Sequence, residues 1–157
     1  MSGEQAQDHV WADAAAHVAA YEASDGAVGH DWLGRPHLLL RTTGRRTGRV
    51  RTVPLAYARL PAVDGAARYV VAASAGGAER HPAWYLNLVA DPRVEVQVRA
   101  DRWSTTADPL TDEPHDVVEG AWAALTDVWS GFARYRAGTR RRIPVVLLDA
   151  PAAVDRS

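Results

Sequence analysis

Five arginines, Arg41, Arg45, Arg46, Arg49 and Arg51, fall within eleven residues around Gly44 and Gly48, with no acidic residue among them. Unpaired like charges repel at that density, and a compact anion would offset the repulsion. Guanidinium forks match phosphate or carboxylate oxygens in two-point contacts. A second candidate group is Ser74–Gly77, whose small side chains let a ligand approach backbone N–H groups closely. A third is Pro82–Trp84, where a helix start offers free N–H groups and a dipole worth about 0.3–1 kcal/mol to an anion. Aromatic residues are the other theme. Trp84 and Tyr85 sit beside the small-residue loop, and Trp129, Phe132 and Tyr135 are spaced i, i+3, i+6. If the helix before them continues, they share a face suited to wall a flat organic ligand. Trp122 reads as core.

The absences narrow the chemistry. The chain of 157 residues has no cysteine and no lysine, so all 18 basic residues are arginine. Disulfides, thiolate metal sites, a cysteine nucleophile, a Schiff-base lysine and a phosphate-loop lysine are excluded. No dinucleotide-binding glycine fingerprint, no Gly-x-Ser-x-Gly elbow and no His-Glu-x-x-His occur. The six histidines never fall four apart. They read as surface or hydrogen-bonded structural groups, and no metal is expected. Any chemistry must then come from a bound organic cofactor, or there is none. The residues alone support a small β-rich domain with a flat, anionic ligand, ingredients that a nucleic-acid module would share.

The net charge of −1 hides strong patterning. Residues 1–34 carry six acids and no arginine; residues 35–102 have an excess of seven positive charges. Residues 103–133 again carry six acids and no arginine, and residues 134–157 have an excess of four positive charges. The acidic blocks on either side of the basic ones argue against nucleic-acid binding. There is no signal-like segment and no span of roughly 18 apolar residues, so the cytoplasm is expected. Residues 5–23 read as a helix with Val10, Ala14, Val18 and Tyr21 on one stripe. Its acidity favours packing on the domain over lying on a membrane.

The elements that must position these groups follow from alternation and turn residues. Residues 1–36 read as an N-terminal helix and a glycine-rich loop, 37–150 as the cofactor-binding domain and 151–157 as a tail. His37–Thr43 predicts a strand, Gly44–Gly48 a turn with glycines placed for positive φ, and Arg49–Leu60 a second strand. Pro54 within it marks an edge or bulge. Pro61–Ala66 predicts a turn, Arg68–Ser74 a strand, and Ala83–Ala90 a helix with Pro82 at its first position. Val94–Val98 and Trp103–Ala107 predict strands, Thr111–Val128 a helix capped by Thr111 or Asp112, and Ile143–Leu148 the last strand. Hairpin-linked strands without βαβ alternation indicate an α+β protein, with a mostly antiparallel sheet or barrel and peripheral helices.

Three ordered stretches, Leu38–Gly48 with Arg51 and Pro54-Leu55, Val71–Leu88 with Asp91-Pro92, and Arg142–Val146, resemble the deazaflavin-dependent nitroreductase family of actinobacteria. The resemblance covers roughly residues 37–148. It implies a split β-barrel like that of FMN-binding proteins, coenzyme F420 as cofactor, and hydride transfer to a quinone, nitroaromatic or similar electron-poor acceptor. It implies that Arg45, Arg46, Thr47, Arg51, Thr52, Val53, Pro54, Leu55, Ala72, Ala73, Ser74, Ala75 and Gly76 line the cofactor, with Ala83, Trp84, Tyr85, Leu86, Asn87 and Phe132. Phe132 also faces the substrate, with Ala56, Trp129 and Tyr135. Ser74 or Tyr135 is expected to relay a proton. The family's pattern has tyrosine where this chain has Ala56, lysine at Ala75 and tyrosine at Trp129, which makes quinone reduction the preferred activity. An FMN-dependent split-barrel reductase and a non-catalytic cofactor-binding protein are the alternatives. Monomer and homodimer are both compatible with the sequence.

Overall fold

The computed structural model describes residues 13–75 and 78–151. Helix α1 (Ala14–Ser24) precedes a short strand β1 (Asp31–Trp32) and the long strand β2 (Arg35–Thr43). There follow β3 (Val50–Ala56), β4 (Ala58–Val63), β5 (Ala66–Ala72), helix α2 (Ala83–Ala90), β6 (Arg93–Val98), β7 (Asp101–Thr106) and β8 (Asp108–Pro109). Helices α3 (His115–Val128) and α4 (Gly131–Ala137) and strand β9 (Val145–Asp149) complete the order.

All strand pairings are antiparallel. One sheet runs β1-β2-β6-β7 with β3 added on β2; the other runs β4-β5-β9-β8. Single residues, Tyr57 and Ala107, separate β3 from β4 and β7 from β8, so two strand runs bend out of one sheet into the other. That gives a split barrel rather than a closed one. Alternation decides which side chains fill it. Leu38, Leu40, Tyr69, Val71, Val94, Val96, Trp103, Val146 and Leu148 pack between the sheets. Leu39 points outward instead, against Val18 and Tyr21 of α1. Val70, Val145 and Leu147 face outward under Val118, Trp122 and Leu125 of α3. Each such apolar side chain contributes about 1.5–3 kcal/mol by burial.

The N-terminal region is more structured than a helix and loop. Trp32 pairs with Arg35 across the two-residue turn Leu33-Gly34, both left-handed at φ 54° and 74°. The boundary expected at residue 36 therefore cuts through β2. The part of the expected 5–23 helix before residue 13 lies outside the described residues. Under α1 the buried histidines are structural. His17 Nε2 is 2.8 Å from the Gly29 carbonyl, and His30 bridges Asp31 and the Tyr57 hydroxyl at 2.8 and 2.9 Å. His37 Nδ1 is 3.0 Å from the Arg35 carbonyl, and burial pushes its pKa down to about 4.

Other boundaries move for local reasons. β4 extends to Val63, so the turn narrows to Asp64-Gly65. Pro82 is the N-cap of α2 (ψ 153°), not its first helical residue. Helix α3 begins after Pro114, because a residue before proline is driven out of the helical region, which rules out starting at Thr111. Pro54 sits on β3, which pairs only with β2 in its sheet and is thus an edge, as its presence requires.

Candidate cofactor cleft and acceptor wall

The β2–β3 hairpin carries the basic group at its tip. Gly44 N–H donates to the Arg49 carbonyl at 2.7 Å and Gly48 N–H to the Gly44 carbonyl at 2.8 Å. Gly48 takes φ 72°, a conformation that favours glycine; Gly44 has no positive φ, and a side chain on it would crowd the Arg49 carbonyl and Thr47 Oγ1 at 3.0 Å. The hairpin is braced from below by Asn87 of α2, which is 4% exposed. Its Oδ1 accepts from Arg45 N–H at 3.2 Å and from Arg45 Nη1 at 3.1 Å, while its Nδ2 donates to Thr42 Oγ1 at 3.2 Å. Arg46, Arg49 and Arg51 are exposed and make no ion pair among the described residues. Arg41 is different. It is spent on Glu22 at 2.5 Å, Glu95 at 3.1 Å and Gln97 at 2.9 Å, so it is not available to a ligand as the hairpin arginines beyond it are.

Between this hairpin and α2 lies a cleft of about 540 Å³. Arg45, Arg46, Thr47, Arg51, Val53, Ala83, Trp84 and Asn87 line it, eight of the residues expected at the cofactor. Its size is that of an ordinary small-molecule site. Thr52 and Pro54 alternate with the lining residues and do not face the cleft. Leu55, Ala73, Tyr85 and Leu86 belong to the barrel core behind it.

The small-residue loop is held by a residue that the sequence reading treats only as part of a basic stretch. Arg141 donates to the carbonyls of Ala73 (3.1 Å), Ser74 (2.9 Å) and Ala78 (3.0 Å), and its Nη1 lies 2.9 Å from His81 Nδ1. Burial first and the Arg141 charge second hold the His81 pKa below the usual range, in keeping with a neutral ring that accepts. No local signal separates Arg141 from Arg140 and Arg142. Ser74 is buried, and Ala75 is exposed at φ 48°. Gly76 lies outside the described residues.

The second aromatic group gathers on the other side of the second sheet. Phe132 is buried and Ala56, Trp129 and Tyr135 pack half-buried with it; Ala72 belongs to the same cluster. The helix ends at Val128, as read, with Trp129 as its C-cap (φ −157°, ψ 117°), and a separate helix α4 starts at Gly131. The rings meet nonetheless, edge to face, with centroids 5.2 Å apart for Trp129–Phe132 and 5.1 Å for Trp129–Tyr135. No hydrogen bond joins Tyr135 to Ser74 among the described residues. Sequence reasoning misses Arg35, whose guanidinium lies over the Trp129 ring at 4.1 Å.

The arrangement can therefore bind an anion at the hairpin, seat a flat group in the cleft, and offer a separate aromatic wall. Comparison with known proteins gives the family. The F420H2-dependent quinone reductase family matches residues 14–150. An F420H2-dependent quinone reductase of Mycobacterium tuberculosis is 42% identical over 135 residues, 84% of this chain and 86% of that one. A solved F420-H2 dependent reductase superposes with a TM-score of 0.61 at 34% identity, covering 72% of this chain and 93% of its own. A protein solved as a domain-swapped dimer superposes with a TM-score of 0.63 at 33% identity, covering 79% and 85%. A match along nearly the whole described chain leaves one conclusion: this protein belongs to the F420H2-dependent quinone reductase family.

Proposed function

We propose that this chain is an F420H2-dependent quinone reductase that holds the deazaflavin cofactor at the Arg45–Arg51 hairpin and presents a quinone at the Trp129 wall. The observation that carries this reading is the pairing of uncommitted Arg46 and Arg51 guanidinium groups with an apolar cleft floored by Val53, Ala83 and Trp84. Coenzyme F420 joins a flat ring to phosphate and carboxylate groups, and this donor set fits both parts. When bound in its reduced form, the cofactor supplies a hydride.

The protein's own contribution is binding and orientation, with no covalent catalyst. Arg46 and Arg51 hold the anionic groups, and Trp84, at the start of α2, packs against the ring system. Ser74 sits on the loop that Arg141 anchors. Tyr135 is half-buried on the acceptor wall and is the better placed of the two to pass a proton between solvent and acceptor. Self-association is supported by the relative solved as a domain-swapped dimer, and light scattering of the purified protein tests it.

The test of the reading is titration of the purified protein with coenzyme F420, followed by quenching of the cofactor's fluorescence. Binding is expected, together with oxidation of the reduced cofactor by a panel of quinones. Binding of FMN in place of F420, or no binding of either, would overturn the assignment.

A further inference from the structure

Arg35 is placed by the Leu33-Gly34 turn at the first residue of β2, far in sequence from the aromatic cluster it touches. Its guanidinium carbon lies 4.1 Å from the centroid of the Trp129 ring. A side chain at Gly131 would collide with the same ring, so Trp129 lies directly on that glycine. Phe132 and Tyr135 meet the indole edge to face. The indole is thus clamped by an arginine, a bare backbone and two rings, and cannot act as a swinging lid. The second observation concerns a donor. Arg35 Nε is buried and has no hydrogen-bond partner among the described residues. Buried donors are nearly always paired, so one left unspent beside an aromatic wall asks for an acceptor oxygen.

We propose that Arg35 determines the acceptor site: it pins Trp129 in place and keeps a buried N–H for an oxygen of a neutral, electron-poor acceptor such as a quinone. This rests on reading the Trp129 cluster as the acceptor wall. In the two-electron reduction of a quinone, the hydride from the reduced deazaflavin brings both electrons. Negative charge collects on a carbonyl oxygen until a solvent-derived proton completes the hydroquinone. Arg35 donates a hydrogen bond to that oxygen. A fixed cation at the wall also favours neutral or anionic acceptors over cationic ones.

The test is Arg35→Met in the full-length protein. Affinity for F420, from cofactor fluorescence, should stay within about two-fold of the parent, because Arg35 does not line the cleft. Binding of a water-soluble naphthoquinone to the cofactor-free protein, read by quenching of tryptophan emission, should weaken about ten-fold. The quinone KM should rise by a similar factor, with kcat changing less. A cationic phenothiazinium dye should lose nothing as acceptor, a selectivity shift that mere structural damage would not produce. Arg35→Lys should recover little, since lysine has neither the planar face nor the Nε–H. Should Arg35→Met fail to fold, Gly131→Ala displaces the indole from its other face and should also weaken naphthoquinone binding. Unchanged quinone affinity and KM in folded Arg35→Met, or in Gly131→Ala, overturns the inference. So does a loss of F420 affinity in step with quinone affinity. If the parent protein binds no F420, the cleft assignment falls instead, and the cofactor-free quinone titration still decides the role of Arg35.

Discussion

The hairpin arginines and the C-terminal arginines carry the same charge at similar density, yet the fold uses them in opposite ways. Arg46 and Arg51 project from a hairpin tip with no acidic partner among the described residues, over an apolar cleft. Arg136, by contrast, is paired with Glu119 and lies 4.7 Å over the Trp122 ring. Arg141 gives its donors to three backbone carbonyls and a histidine. Arg46 and Arg51 are left without an acceptor, whereas Arg136 and above all Arg141 have theirs within the fold. The lesson is that local charge density does not report function. What separates the two groups is whether the fold supplies acceptors nearby.

Substitutions can break or sharpen that contrast. Among substitutions Arg141→Met should cost the most, about 3 kcal/mol of unfolding free energy in urea, because several charge-assisted bonds to the loop are lost at once. F420 affinity should fall with it. Acid should strike the framework next. Burial holds His37 neutral with a pKa of about 4, against 6.5 for an ordinary histidine. The unfolded chain therefore binds more protons between those values, so this contribution is complete above pH 6.5 and is lost as pH falls towards 4. The loss amounts to about 3 kcal/mol by urea midpoints across that window, to which His17 and His30, shifted the same way, add. Arg51→Ala should weaken F420 binding by about ten-fold, roughly 1.4 kcal/mol, and leave stability within about 0.5 kcal/mol of the parent. Arg46→Ala should behave alike. If either variant binds F420 as the parent does, or loses as much stability as Arg141→Met, the contrast fails. The smallest effect is expected for Arg136→Gln, which breaks an exposed pair and should shift neither the urea midpoint nor F420 affinity measurably.

Much of this was legible from residue order. Helix α2 falls at Ala83–Ala90 as read, since Pro82 and Asp91-Pro92 bracket an apolar run. The hairpin at Gly44–Gly48 follows from its turn residues, and most of the cleft lining from the motifs around it. The corner at Tyr57 carries no glycine or proline of its own, so β3 and β4 read as one straight run, and the two-residue strand β8 beyond Ala107 is too short to read. Helix α3 ends at Val128 where it was read, but the separate helix α4 is missed, because a glycine at its start is a poor helix residue. Arg41 and Arg35 were illegible for a common reason. Their partners, Glu22 and Glu95 for one and Trp129 for the other, lie far along the chain, and only the folded sheets bring them within reach.

One brace in the cleft has a consequence for binding kinetics and affinity. Asn87 satisfies the Arg45 backbone, the Arg45 side chain and Thr42 together, from a rigid helix and out of reach of water. The hairpin tip is thereby held in its receptive shape by the protein itself, and its backbone entropy is lost on folding rather than on ligand capture. An anion arriving at Arg46 and Arg51 then meets a site with little left to order. Association should be limited by electrostatic encounter rather than by loop closure, and should slow as added salt screens the arginines.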